Sequence, residues 1–505
     1  MFISLRITLL LVRFVKRKEF WAKDIKLGKI NVLKENIDVD VLIIGGGLTG
    51  INTAYYLKDS NLNICLVDQG YVGMGVSSKT TGKINYLQET IYSDLENKYS
   101  FEVARKYFYS QQFAIEEIKK IIDTENIECN LDKVSSYVYT NDNAEVYKIK
   151  KEKEILKKFG CKVKEYKNVS DDLNYKYAIS VDDTYVFHPL KYLYKLKDIV
   201  INSRISVYEK TRVKYMKKTM EGYVCFTDNC KIGAKKVILA CHYPFFLRPY
   251  MMPLKVYTEK SYVTVSKVDN YQNVSSITSN LPVASIRYHK DKENYMFYLS
   301  GSHNICNELD ENKNFSKVIR EARKANLNPE YTWSNDDMMS VDRIPYIGRI
   351  EKDNDSLLIG TAYSTWGMTN SLLAGFILSN MVKGNKTCYD GLFDPLRTMS
   401  IVNVGSYLVN IGSSLKSIVE NKVVKNKDWY SDKVKFETRN GKKVAIYNDG
   451  EKEHIVLSNC PHMGCTLLFN EYEKTWDCPC HASRFDMDGK CIKGPSTYDI
   501  SYKED

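Results

Sequence analysis

The chain has 505 residues, 44% of them hydrophobic and 27% charged, and carries a formal net charge of +11. That length supports two or three domains with full-sized cores. The basic excess is spread among many lysines rather than gathered into a stripe, which excludes nucleic acid as a partner.

Five of the positive charges lie in residues 1–18, with no acid among them. The apolar run Ile7–Val12 is too short to span a bilayer, and neither a cleavage site nor a twin-arginine signal follows. Residues 1–18 read as an upstream extension or a packed helix; the second reading is a basic amphipathic segment in contact with a membrane surface. Eight cysteines are scattered without paired spacing, which suits a reducing cytosol. A cytoplasmic protein is expected, with a peripheral place on the inner membrane face as the alternative.

Val41–Ile44 is an unbroken apolar run of the kind found in central parallel strands. Gly45-Gly46-Gly47-Leu48-Thr49-Gly50 and a helical pattern follow, then a second strand ending in Asp68. Gly45 permits the tight turn, Gly47 the approach of a pyrophosphate and Gly50 close helix–strand packing, while Asp68 suits a ribose hydroxyl. The small, hydroxyl-rich loop from Gly73 to Lys83 contains Ser77, Lys79, Thr80 and Thr81, and suits a passage beneath a flavin. Helices are expected over 100–122 and 144–159 and strands over 135–139, 256–265 and 296–299. Residues 234–240 read as a further parallel strand. Leu357–Ala362, containing Gly360, reads as a buried strand leading to Gly367, Met368 and Thr369 at a helix start, whose backbone amides would face the flavin. These segments nominate FAD. No second strand–glycine–helix unit for NAD(P)H is present.

Ile401–Val419 has apolar residues at near-helical spacing and reads as a connecting helix, with a polar linker over Asn421–Asp428. Short strands then begin a small β domain. Its two loops read Cys460-Pro-His462-Met-Gly-Cys465 and Cys478-Pro-Cys480-His481. Two thiolates (Cys460, Cys478) and two imidazoles (His462, His481) can hold the two irons of a [2Fe–2S] cluster, with a reduction potential of roughly −150 to +300 mV. Zinc is the competing occupant of such pairs, but it leaves Cys465 and Cys480 without a role.

The loop pattern resembles the Rieske family in its disulfide-bearing subtype. That resemblance implies a Cys465–Cys480 disulfide over the cluster and a Ser483 hydroxyl that raises the potential. Phe485 stands where high-potential members carry a Tyr, so a potential below the top of the range is expected. The upstream pieces, from Val41–Gly50 and Thr80–Lys83 through Phe187–Leu190, Ala240–Phe245 and Asp342–Gly348 to Gly367–Asn370, resemble the D-amino-acid-oxidase/glycine-oxidase-like flavoproteins, and most closely those fused to a C-terminal Rieske domain.

The fold implied is an α/β FAD-binding domain (Rossmann-like, glutathione-reductase type) with an inserted antiparallel β substrate domain, plus a small all-β Rieske domain. The expected divisions are an extension over 1–37, the flavin module with its insert over 38–397, a connecting helix and linker over 398–429, and the Rieske domain over 430–505. The function implied is oxidation of a small amine or amino-acid-like substrate at FAD, with single electrons leaving through the cluster to an acceptor the sequence does not name. No general base is nominated, because a neutral amine gives hydride directly. Arg287, His303 and Arg343 are the candidate substrate contacts, Arg suiting a carboxylate. A redox sensor or electron carrier without turnover is the alternative. A Rieske oxygenase is disfavoured, because the remaining histidines form no closely spaced pair for a mononuclear iron.

Overall fold

The computed structural model describes residues 19–169, 175–245, 255–280, 283–305, 311–397 and 433–503. The extension 1–18, the helix expected over Ile401–Val419 and the linker Asn421–Asp428 lie outside them. No helix among the described residues is long and apolar enough to cross a membrane.

Seven strands and two helices frame a central cavity. They are β1 (Ile37–Ile44), α1 (Leu48–Leu57), β2 (Ile64–Val67), β3 (Lys231–Leu239), β4 (Val256–Lys267), β5 (Asn294–Asn304), β6 (Pro329–Ser340), β7 (Asn354–Thr361) and α2 (Gly367–Val382). The first sheet runs Tyr346–Glu351, β7, β3, β1, β2, Ser206–Tyr208, with a hairpin (Tyr215–Lys218 and Tyr223–Phe226) joined to β3. β7, β3, β1, β2 and Ser206–Tyr208 are parallel. Val41–Ile44 is buried throughout because both faces of this sheet are covered. At its end Gly45 takes φ +111°, where a Cβ would stand 2.4 Å from the Ala240 carbonyl oxygen. A Cβ on Gly50 would stand 1.9 Å from the Gly45 oxygen, so α1 sits directly on the turn.

The second sheet runs β6, β4, β5, Ala284–Lys290, Val274–Thr278, Asp132–Thr140, Tyr175–Val186, Lys83–Ile84, with Lys164–Val169 on Tyr175–Val186. It departs from the expected antiparallel sheet at one junction: Val274–Thr278 runs parallel to Asp132–Thr140. The chain crosses from one half of the sheet to the other between them, so the directions there are not set by a hairpin. Helices Phe101–Thr124 and Asn143–Lys158 stand where the periodicity places them.

Within the segment read as an extension over 1–37, residues 20–24 pack against the second sheet. Phe20 and Trp21 are fully buried among Tyr295, Phe297 and Tyr331, with Trp21 stacked 4.8 Å from Phe297. Large aromatic surfaces of this kind dominate core energetics, which draws residues 20–24 into the substrate sheet.

The carboxy-terminal region has two small antiparallel sheets, Val434–Arg439, Lys442–Asn448, Glu453–Leu457 and Leu468–Asn470, Thr475–Asp477, Arg484–Asp486, Cys491–Lys493. It docks on the second sheet through buried charges. Lys260 on β4 reaches Glu311 at 2.8 Å and Asp477 at 3.2 Å, and Lys493 reaches Asp336 on β6 at 2.5 Å. Arg484 pairs with Asp477 at 2.8 Å and with Glu473, whose carboxylate also accepts from Ser334 at 2.6 Å.

Candidate functional site: a flavin cavity against a cluster domain

One cavity of about 740 Å³ is lined by the glycine turn, the Ser77–Thr81 loop, the start of α2, the β4/β6 wall and residues 492–497 of the cluster domain. Gly45, Gly47, Asp68, Ser77, Lys79, Thr80, Thr81, Gly360, Gly367 and Met368 all border it. Local geometry explains how. Asp68 accepts from the Gly46 N–H at 2.8 Å and the Gly70 N–H at 2.7 Å, which fixes its carboxylate at the turn; burial pushes its carboxyl pKa up. Ser77 Oγ accepts from the Leu48 N–H at 3.1 Å and ties the loop to the start of α1. Gly367 opens α2, so the first amides of that helix are available to negative charge.

Two nominated contacts sit elsewhere. Gly50 is spent on helix–strand packing. Thr369 is turned by the helix into the interior, where its hydroxyl donates to Gln111 at 2.6 Å. The three substrate candidates also separate. Arg287 is buried outside the cavity lining, donating to the carbonyls of Thr81 at 2.7 Å, Phe187 at 3.0 Å and Gly82 at 3.2 Å. Burial lowers it to about 9. His303 also lies off the cavity, stacked on Tyr262 and donating through Nδ1 to the Gly301 carbonyl at 3.0 Å. Arg343 alone borders it, in the left-handed region at φ +68°, held by Glu89 at 2.9 Å and Asp94 at 3.5 Å.

The two loops set Cys460 beside Cys478 and His462 beside His481. Gly464, at φ +77°, donates to the Cys460 carbonyl, and Ala482, at φ +61°, to that of Cys478, closing each loop into a tight turn. Cys465 and Cys480 form a disulfide. The Sγ atoms of Cys465, Cys478 and Cys480 lie within 4.8 Å of one another, but two of the three are spent in that bond, so they are not a ligand trio. The two imidazoles are 5.0 Å apart. Nδ1 and Nε2 of His462 and Nδ1 of His481 are buried without a hydrogen-bond partner. Orphaned buried nitrogens of this kind call for an explanation, and a metal is the fitting one. Burial lowers His462 to about 4, and burial with His462 lowers His481 to about 3, so both are neutral, as ligands must be. Hydrogen bonding from Cys478, and then from the His462 amide and the Ser483 hydroxyl, lowers Cys460 to about 7. Ser483 Oγ also accepts from the Ser496 N–H at 2.9 Å. Phe485 is fully buried.

The residues that join the two halves follow β3. Cys241, His242 and Tyr243 border the cavity. Tyr243 also stands edge-on to both imidazoles, 6.3 Å from His462 and 6.0 Å from His481. His242 takes φ +65°, its Nε2 is buried without a partner, and burial lowers it to about 3.

The family model described as FAD dependent oxidoreductase matches residues 40–381. The chain belongs to that family. The model described as Rieske [2Fe-2S] domain matches residues 420–502. Both cofactors, FAD and a [2Fe–2S] cluster, therefore belong to this oxidoreductase, and the cavity and the orphaned imidazoles fit them. The Bacillus subtilis (strain 168) protein YhfW, a Rieske 2Fe-2S iron-sulfur protein by name, is 29% identical over 94% of this chain and 96% of its own length. Gamma-glutamylputrescine oxidoreductase of Escherichia coli (strain K12) is 22% identical over 72% of this chain and 88% of its own. Among solved structures, glycine oxidase from Geobacillus kaustophilus superposes with a TM-score of 0.61 at 15% identity, over 72% of this chain and all of that one. That likeness shows the fold of the flavin module.

Proposed function

We propose that this oxidoreductase oxidises a small amine-class substrate at FAD and sends the electrons singly through its own Rieske cluster to a one-electron acceptor outside the chain. The observation that carries this reading is the shared wall: one cavity touches both the flavin-binding turn and the cluster domain, and Tyr243 borders it while meeting both cluster imidazoles. When bound, FAD would supply a hydride acceptor for the α C–H bond of an amine, whose nitrogen lone pair closes a C=N bond, and a Cys/His-ligated cluster would supply a one-electron acceptor.

The chain's own residues do the rest. Gly45, Gly47 and Ser77 shape the phosphate passage, and the start of α2 offers backbone amides to the electron-rich edge of the ring. Cys460, His462, Cys478 and His481 would hold the iron. The buried Lys260–Asp477 and Lys493–Asp336 pairs and the Ser334–Glu473 hydrogen bond clamp the cluster domain in place, so donor and relay need not find one another by diffusion. An amine or amino-acid substrate class also agrees with the relatives named above, the E. coli protein carrying an amine substrate in its name.

Anaerobic addition of a panel of amines and amino acids tests this reading. At least one class should bleach the flavin absorbance of the pure protein. A flavin that stays oxidised across the panel would leave an electron carrier without turnover as the better account.

A further inference from the structure

The wall facing the flavin turn carries charge of an unexpected sign. Tyr257, Glu259 and Ser261 alternate along β4 onto the cavity, and Asn335, Asp337 and Met339 do the same along β6. The antiparallel register sets Glu259 directly opposite Asp337 and Ser261 directly opposite Asn335. Like charges in such a cross-strand pair repel. Ser302 donates to Glu259 at 3.1 Å and Asn335 Nδ2 donates to Asp337 at 3.1 Å. Among the described residues neither carboxylate has a Lys or Arg within ion-pair distance.

A second, independent observation lies on the same four residues. Ser261 Oγ and Asn335 Oδ1, on residues only 4% and 6% exposed, are buried without a hydrogen-bond partner. Native proteins seldom leave such atoms unsatisfied. Two unpaired carboxylates and two idle oxygens, all bordering one cavity, lack a compact cation with several N–H donors. An ammonium group has three.

The basic side chains around the cavity point to the same conclusion. Arg343, which would suit a substrate carboxylate, is already spent on Glu89 and Asp94. Lys493 is spent on Asp336, Arg484 on Asp477, Arg212 on Asp499 and Lys79 on Glu19 and Glu473. Lys83 has no acidic partner, but it donates to the Ser276 carbonyl at 2.9 Å and to Ser285 Oγ at 2.5 Å. The wall is built to receive positive charge.

We infer that Glu259, Asp337, Ser261 and Asn335 form a receptor for an ammonium group, and that the substrate is a doubly basic amine, a diamine or polyamine, rather than a free amino acid. One end docks as the cation while the other enters neutral at the reacting face. This rests on the amine-oxidation reading above and names its substrate class.

The test uses the full-length protein with FAD and cluster bound, and α,ω-diamines of three to six carbons against the monoamines and ω-amino acids of equal length. Calorimetry gives affinity, and anaerobic flavin bleaching gives turnover separately. The best diamine should bind at least about thirtyfold more tightly than its monoamine, as expected for a desolvated charge pair, and the ω-amino acid should bind more weakly still. Asp337→Asn and Glu259→Gln should each erase that advantage while flavin absorbance and cluster EPR stay normal. Asp337→Arg should reverse the preference toward the ω-amino acid. Equal affinity for mono- and diamines, or selection of the ω-amino acid by the unaltered protein, overturns the receptor. Tight, Asp337-dependent diamine binding without bleaching keeps the receptor and sinks the oxidation reading instead.

Discussion

The cluster loops and the cavity wall carry their functional residues in opposite ways. Cys460, His462, Cys478 and His481 come from two short turns, and a ligand set so local leaves its spacing in the sequence. Glu259 and Asp337 lie on separate strands and meet only because the register of β4 and β6 pairs them. The first arrangement is fixed by turn geometry, the second by an entire sheet. Chemistry held by turns tolerates distant change, whereas chemistry held by register depends on everything that sets the sheet, including the docked cluster domain.

The largest expected effect breaks the local side alone. His462→Ala should abolish the cluster, read as loss of iron, acid-labile sulfide and the EPR signal, while flavin content stays stoichiometric. Parallel loss of flavin would mean that the two halves do not fold as separable sites. Next comes the joint. Arg484→Met leaves buried Glu473 with only Lys79 at 3.6 Å and Asp477 with only Lys260 at 3.2 Å, which should cost about 3 kcal/mol in urea unfolding. A loss below about 1 kcal/mol would show that the clamp is not buried in solution.

A smaller effect separates structure from substrate recognition. Arg287→Met removes the donor from the Thr81 and Phe187 carbonyls, while Gly82 keeps the Phe187 N–H, so stability should fall by about 1–3 kcal/mol per group left unpaired, with no change in amine affinity. An affinity change at unaltered stability would return Arg287 to the substrate site. The smallest effect is a pH dependence. Burial, together with the neighbouring Asp336, raises Asp337 to about 7, with Lys493 opposing and Glu259 adding to the rise. A cation is held by the ionised carboxylate, so diamine affinity should rise with pH through about 7, by no more than about tenfold per unit. Asp337→Asn should flatten that profile.

Much of this was legible in the sequence. The Gly45–Gly50 turn, Asp68 and the two Cys/His loops depend on short spacings, whereas the Cys465–Cys480 disulfide was implied by the resemblance to the Rieske family. Thr369 lies off the cavity lining, its hydroxyl on Gln111, because a glycine turn does not reveal which face of the following helix each residue takes. Arg287 lies off the cavity lining, and the sequence does not show this because an arginine in a strand looks the same whether it meets a ligand or caps carbonyls. Glu259 and Asp337 could have been flagged by alternation within 256–265 and 333–340, since an acid at a strand's inward phase is out of place unless it is paired. Their pairing with one another requires the register. Phe20 and Trp21 left only an aromatic pair beside a basic segment, which does not say where they dock.

The central claim is that electrons pass within one molecule from the flavin cavity to the cluster. Freeze-quench EPR after rapid anaerobic mixing with a reducing amine tests it most directly, at several protein concentrations. The cluster signal should follow flavin bleaching with a rate independent of protein concentration. A rate proportional to concentration, or a cluster that stays oxidised beside a fully bleached flavin, would contradict the account.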